Sequence, residues 1–253
     1  MKLTTFNIRC DYGQDGINNF DYRKPLLLDK IQKESPDVIC FQEVLPHVSA
    51  WLKEQLQDYY IIGCGRDRNL QDEQTCIAYR KSDFNLLKMD VFWLSETPML
   101  PGSRYPSQSD CPRTCTMALL HHLKTNQVFR LYNTHLDHIG SEARSLGLSQ
   151  ILNRIRQEET FISAPVILTG DFNAYPASEE MEPLKSYPQL IDLTADIKGT
   201  FHDFGRSDNP EKIDYIFAES SIRCRQISLW EDCQSGVYLS DHYPVCADLV
   251  LPQ

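Results

Sequence analysis

Residues 166–173 read VILTGDFN. Pro165 stands in front of them, and the run is short, apolar and rich in branched side chains, which marks a buried strand rather than a helix. The strand ends on a carboxylate and an amide, Asp171 and Asn173. A polar group at the end of a buried strand is held at the rim of a sheet by a rigid element.

The same pattern recurs in both directions. Upstream, QVFRLYNTHLD (127–137) ends on His135 and Asp137, and it forms a hairpin with TCTMALLHHLK (114–124) around Thr125-Asn126. DVICFQEV (37–44) ends on Glu43, and KLTTFN (2–7) ends on Asn7. Downstream, Asp214 lies in KIDYIF (212–217), a further strand falls near 222–230, and Asp241-His242 lead into HYPVCADLVL (242–251). TCIAYRK (75–81) and FNLLKMDVFWL (84–94) read as neighbouring strands.

Helices lie between these runs. Leu27, Leu28 and Ile31 share a helical face after Pro25, and Pro36 ends that helix. Val48, Trp51, Leu52 and Leu56 mark a second helix. Leu148, Ile151, Leu152 and Ile155 mark a third over 141–158. Residues 95–113 carry several prolines and read as a long surface loop, the kind of segment that tends to hold function. Strands, hairpins and helices in both halves imply two mixed sheets packed face to face with helices outside. One sheet is expected from each half, divided near residue 125, within a single catalytic domain spanning 1–253.

Composition sets further bounds. The chain has 253 residues, 42% hydrophobic and 24% charged, ample for a sizeable core. No apolar run approaches the roughly 20 residues of a bilayer span. The N-terminal stretch lacks the apolar region of a signal peptide, so a cytoplasmic location is expected. Nine cysteines, an odd number, with Cys40 and Cys246 inside apolar runs, read as free thiols. Cys111 and Cys115 lack a second pair at zinc spacing and read as structural. The net charge is −10, with no Lys/Arg cluster of the kind that tracks a polynucleotide. Bound metal ions can reverse the charge of an acidic cleft, so nucleic acid stays among the substrates.

Hydrolysis of a phosphate ester needs a hard cation on the phosphoryl oxygens, an aligned and deprotonated water, and stabilisation of the leaving oxygen. Hard cations take carboxylate and amide oxygens. The strand ends supply that set, and histidines besides.

In their order, TFNIR, FQEV, THLD, GDFN, IDYIF and SDHYPV resemble the endonuclease/exonuclease/phosphatase superfamily, from residue 4 to residue 245. That superfamily includes deoxyribonuclease-I-like nucleases, deadenylases, sphingomyelinases and inositol polyphosphate 5-phosphatases. The resemblance implies an α/β four-layer sandwich and a Mg²⁺ or Mn²⁺ cofactor. It implies that Glu43 is the main metal carboxylate, with Asn7 and Asp241 helping to hold the ion or its waters. Asp171 would orient and deprotonate the attacking water, with Asn173 beside it. His242, paired with Asp214, would bind the phosphate and stabilise developing charge. His135 would lie near the phosphate or leaving group, and Arg113 matches a phosphate-contacting arginine of the deoxyribonuclease-like branch. His135 disfavours the exonuclease-III-like branch, and GDFNAYP disfavours the 5-phosphatases. THLDHIG with Arg144, VFWLSETP and TFHDFG resemble a subgroup of small bacterial-type members.

The substrate stays open on these residues. A nuclease or nucleotide phosphodiesterase ranks first. A phosphodiesterase or phosphatase for a small metabolite or lipid head group ranks second, and a non-catalytic binding module last. Other polar residues have plainer readings. His121 and His122 are expected as sheet residues. His47, His138 and His202 are expected at the surface or in caps, with His202 also able to line the cleft. Asp137 either touches the site or braces a loop. Trp93, Tyr105 and Phe204 either border the pocket or pack.

Overall fold

The structure is a computed structural model and describes residues 1–252. In chain order the strands are β1 (Lys2–Asn7), β2 (Val38–Gln42), β3 (Tyr59–Ile62), β4 (Ile77–Arg80), β5 (Phe84–Trp93), β6 (Thr114–His122), β7 (Gln127–His135), β8 (Val166–Asp171), β9 (Leu190–Asp192), β10 (Asp214–Glu219), β11 (Arg223–Leu229), β12 (Cys233–Gln234), β13 (Val237–Tyr238) and β14 (Val245–Val250). The helices are α1 (Phe20–Glu34), α2 (Pro46–Gln55) and α3 (Ser141–Glu159). No helix is long and apolar enough to cross a membrane among the described residues.

Two six-stranded sheets form, ordered β11-β14-β1-β2-β4-β3 and β5-β6-β7-β8-β10-β9. Leu3, Val38, Ile77, Val245 and Leu249 of the first meet Leu120, Phe129, Leu131, Ile167 and Ile216 of the second in a dry layer between them. Leu27 and Ile31 of α1 and Val48 and Leu52 of α2 cover the outer face of the first sheet. Leu148, Ile151, Leu152 and Ile155 of α3 cover the second. The result is the four-layer α/β sandwich expected from the sequence.

Each sheet contains one parallel pair, β1 with β2 and β7 with β8. Parallel neighbours need a long crossover, and α1 and α3 supply it. A parallel pair brings two C-terminal strand ends side by side. Asn7 therefore stands opposite Gln42, one residue before Glu43, and His135 stands opposite Asp171. The antiparallel neighbours contribute their N-terminal ends to the same rim, so Asp214 faces Asp171 and Asp241-His242 lie just before β14.

A buried amide ties the sheets together near that rim. Asn133 donates to the carbonyls of Phe41 (2.8 Å) and Cys76 (3.0 Å) and accepts from Gln42 Nε2 (2.8 Å).

Two expectations about pairing fail. The first sheet is not the first half of the chain, because it recruits β11 and β14 from the far end. Strands 75–81 and 84–94 are not neighbours in a sheet. Both edges of β4 are taken, by β2 and β3, so the chain leaves at Ser82-Asp83 and β5 opens the second sheet. The first helix starts at Phe20, with Pro25 inside it at an exposed position. Its end agrees with the sequence: Ser35 turns left-handed, its N–H reaches the Ile31 carbonyl at 2.8 Å, and Pro36 follows.

Candidate active site

The rim residues converge on one carboxylate. Asp171 Oδ1 accepts the N–H of Asn173 at 2.9 Å, and Oδ2 accepts Asn7 Nδ2 at 3.0 Å. Asn7 Nδ2 also donates to Glu43 Oε1 at 2.9 Å, so one amide links a carboxylate from each sheet. Glu43 Oε2 accepts the Cys10 N–H at 2.7 Å. Two imidazoles flank Asp171 Oδ2, His135 Nε2 at 3.5 Å and His242 Nε2 at 3.8 Å. Asp214 holds the other ring nitrogen of His242 at 2.8 Å.

Local backbone geometry makes this convergence possible. Gly170 has φ +142, and a Cβ there would fall 1.9 Å from the Thr134 carbonyl oxygen. Only glycine lets β8 approach β7 this closely. Arg9, Glu43 and Asn173 have φ of 63, 62 and 48, in the left-handed region. Asparagine tolerates it, but a non-glycine residue held there costs on the order of 1–3 kcal/mol. At Glu43 the turn aims the carboxylate back at Asn7 and Cys10.

Burial divides the titrating groups by environment. Burial pushes Glu43 up, but the Asn7 amide, the His242 charge and the Cys10 N–H outweigh it, so its carboxyl lies below the usual range. Asp171 is pushed up to about 7, by burial and then by the Asp214 charge. Burial opposes charge on His242, yet Asp214, Asp171 and Asp241 raise it to about 10. His135 is held well below its usual value by burial and by the nearby Arg113 and Arg66.

The remaining expected residues are also here. Asp241 lies 3.3 Å from the Arg9 guanidinium and accepts from Ser240 Oγ. Arg113 is buried, meets His138 Nδ1 at 2.9 Å and sets its Nε 3.7 Å from Asp137 Oδ1, while its Nη1 has no hydrogen-bond partner among the described residues. Asp137 braces a loop: it accepts the N–H groups of Ser109 (3.1 Å), Ile139 (3.2 Å) and Gly140 (2.7 Å). It thereby pins the 95–113 segment beside the cleft.

Several cleft residues escaped the sequence reading. Arg9, Cys10, Arg66, Glu73, His138, Phe201 and Glu211 all line it. Arg9 is two residues from Asn7, and that proximity could have flagged it. Arg66 and Glu73 lie in no motif; they form a buried ion pair (2.8 Å) beside Glu43. Glu73 is pushed up to about 7 by burial and by the Glu43 charge. His202 is not at the surface. Its ring stacks on Tyr243 at 3.8 Å and accepts the Gly205 N–H, so it supports the Asp241-His242 turn from behind. Trp93, Tyr105 and Phe204 are buried packing residues.

A divalent cation fits this donor set. Single ligand atoms of Glu43, His135 and Asp171 lie within 4.8 Å of one another, whereas the equally close Asp171, Asp214 and His242 include an imidazolium that offers a cation no lone pair. Burial and the Glu43 charge drive Asp241 and Glu73 upward, and a hard cation beside Glu43 and Asp241 would relieve that excess negative charge.

Residues 4–242 match the Endonuclease/Exonuclease/phosphatase family. The chain belongs to that family, whose members are phosphoesterases and generally use a divalent metal. An endonuclease/exonuclease/phosphatase of Bacteroides vulgatus is 34% identical and superposes with a TM-score of 0.91, covering 99% of this chain and 98% of that one. A mannosyl-6-phosphatase of Bacteroides thetaiotaomicron is 28% identical with a TM-score of 0.91, covering 99% and 100%. An uncharacterised protein of Acanthamoeba polyphaga mimivirus is 26% identical over 97% of this chain and 98% of its own length.

Proposed function

We propose that the protein is a divalent-metal-dependent phosphoesterase that hydrolyses the phosphate ester of a small polar alcohol, with Mg²⁺ or Mn²⁺ as cofactor. The observation that carries this reading is the linkage of Glu43 and Asp171 through Asn7, with the His242–Asp214 pair facing the same carboxylate.

Glu43, Asn7 and Asp241 would hold the cation. When bound, it would neutralise the phosphoryl oxygens. Asp171 aligns a water and takes its proton; a carboxylate raised toward neutral pH is a competent base there. Asn173 hydrogen-bonds beside that water. His242, kept protonated by Asp214, donates to a phosphoryl oxygen as charge develops. Neutral His135 and Arg113, through its Nη1, hold the remaining oxygens.

Three observations favour a small substrate over a polynucleotide. The cleft is about 440 Å³. Arg9 is paired with Asp15 and Asp241, Arg66 with Asp72 and Glu73, and Arg113 Nε lies 3.7 Å from Asp137, so every arginine of the cleft has a carboxylate beside it among the described residues. That suits one phosphate rather than a charged backbone. The mannosyl-6-phosphatase likeness points the same way. A nuclease is the second reading, since the family name covers nucleases. Residues 1–253 act as one catalytic unit, and nine free thiols support a reducing, cytoplasmic setting.

The test is a hydrolysis panel with Mg²⁺, Mn²⁺ or EDTA. It would hold hexose 6-phosphates, p-nitrophenyl phosphate, bis-p-nitrophenyl phosphate, single-stranded DNA and RNA. Metal-dependent turnover is expected on the small esters, lost with Glu43→Gln. Higher kcat/KM on a polynucleotide moves the assignment to the second reading. No turnover at all would leave only a binding role.

A further inference from the structure

One carboxylate in the cleft has no part in the chemistry above. Glu43 and Asp171 are engaged by Asn7, Asp241 by Arg9, and Glu73 by Arg66. Glu211 lines the same cleft, is exposed, and has no Lys, Arg or His within ion-pair distance among the described residues. Its neighbour Lys212 turns away to Asp192 at 2.8 Å.

Glu211 is nevertheless held rigidly relative to the reacting groups. Its N–H donates to the Phe201 carbonyl at 2.8 Å, and its own carbonyl accepts the N–H groups of Phe201 (2.9 Å) and Thr200 (2.8 Å). Phe201 in turn bridges to His242 and lays its ring 5.0 Å from that imidazole. Glu211 is thus one rung of backbone away from His242. Beside Glu211 stands Tyr175, two residues past Asn173 and 52% exposed. Its hydroxyl lies beside the Glu211 carboxylate, which pushes the phenol pKa up.

Resting on the small-ester reading, we infer that Tyr175 and Glu211 form the leaving-group subsite and select an uncharged, polyhydroxylated alcohol. A carboxylate carried on this fixed backbone is acceptor-only and can take hydrogen bonds from adjacent hydroxyls. An exposed aromatic ring beside it covers the C–H face of such a molecule. The same carboxylate disfavours a leaving group that carries a second phosphate, by repulsion and without any new contact. The subsite therefore separates a sugar-type phosphate from both an apolar aryl phosphate and a nucleotide chain.

Steady-state kinetics in Mg²⁺ test this with three substrates: a hexose 6-phosphate, a hexose 1,6-bisphosphate and p-nitrophenyl phosphate. Glu211→Ala is expected to raise KM for the hexose 6-phosphate roughly 10- to 100-fold, the range for a lost hydrogen bond to a charged group, with kcat within a few-fold. The ratio of kcat/KM on the hexose ester to that on p-nitrophenyl phosphate falls by the same factor. Tyr175→Ala raises KM about 5-fold on both monophosphates, because the ring packs against either leaving group. Glu211→Gln, which keeps an acceptor but removes the charge, narrows the preference for the monophosphate over the bisphosphate at least about 3-fold. Equal losses on the hexose and aryl esters with Glu211→Ala, or an unchanged monophosphate preference with Glu211→Gln, overturn the subsite while leaving the phosphoesterase reading intact. Failure of the unaltered protein to hydrolyse either monophosphate overturns that reading, and this one with it.

Discussion

The two parallel crossovers invite comparison. Strand β1, helix α1 and strand β2 place Asn7 and, one residue on, Glu43 at the rim; β7, α3 and β8 place His135 and Asp171 there. The scaffold is the same, with a buried Asp171 at the end of β8 and a half-buried Glu43 one residue past the end of β2. Their environments push them apart. Glu43 is held low by amide and backbone N–H donors, whereas Asp171 rises to about 7 with Asp214 behind it. A permanently charged carboxylate suits a cation, and one raised toward neutrality suits proton transfer. Repeating a backbone unit thus yields two chemical roles through the donors and charges set around it.

The largest expected effects strike these two groups. Glu43→Gln and Asp171→Asn should each lower kcat/KM by at least about 100-fold, as measured on the best substrate of the panel. Near-equal activity of either variant and the parent would break the division of roles.

Asp214→Asn should come next, with a loss of roughly 10- to 100-fold. It also carries a pH signature. Asp214 raises His242 to about 10, so the imidazolium persists below that pH and is lost above it. Removing the carboxylate lowers the pKa, and the alkaline limb of the kcat/KM profile should move to lower pH. The pair's contribution to stability has the same sign: it is fully present below the unfolded-state value of about 6.5 and lost as pH rises through about 10. An unmoved alkaline limb would detach His242 from the reaction.

Stability offers a way to sharpen the comparison, because the crossovers must stay in register with each other. Asn133→Ala removes the buried side-chain donor to the Phe41 carbonyl, while the Cys76 carbonyl keeps the Phe41 N–H and Gln42 Nε2 keeps Thr5 Oγ1 and the Cys40 carbonyl. It should destabilise by about 1–3 kcal/mol in urea melts, the cost of an unpaired buried group. The smallest effect is expected at His47, exposed and paired with Asp11 at 2.8 Å. His47→Ala should shift stability by less than about 1 kcal/mol, as surface ion pairs do.

The sequence carried the strands and the rim residues because both are local signals. An apolar run ending in Asp171 or Glu43 declares a strand and its exposed end at once. Pairing is not local. Nothing in residues 75–94 shows that both edges of β4 are already occupied, so the switch between sheets at Ser82-Asp83 could not be read there. The second wall of the cleft was hidden for the same reason. Arg66, Glu73 and Glu211 belong to loops whose position depends on the packed sheets, and His202, expected at the surface, in a cap or lining the cleft, is buried because Tyr243 stacks on it.

The most direct test of the two-role account is a metal titration of kcat/KM on Glu43→Gln and Asp171→Asn side by side. The account predicts that Glu43→Gln needs more Mg²⁺ or Mn²⁺ for half-maximal activity and recovers partly at high metal. It predicts that Asp171→Asn saturates near the parent concentration and stays at least about 100-fold slower. Identical metal dependence in the two variants, or recovery of Asp171→Asn at high metal, would contradict it.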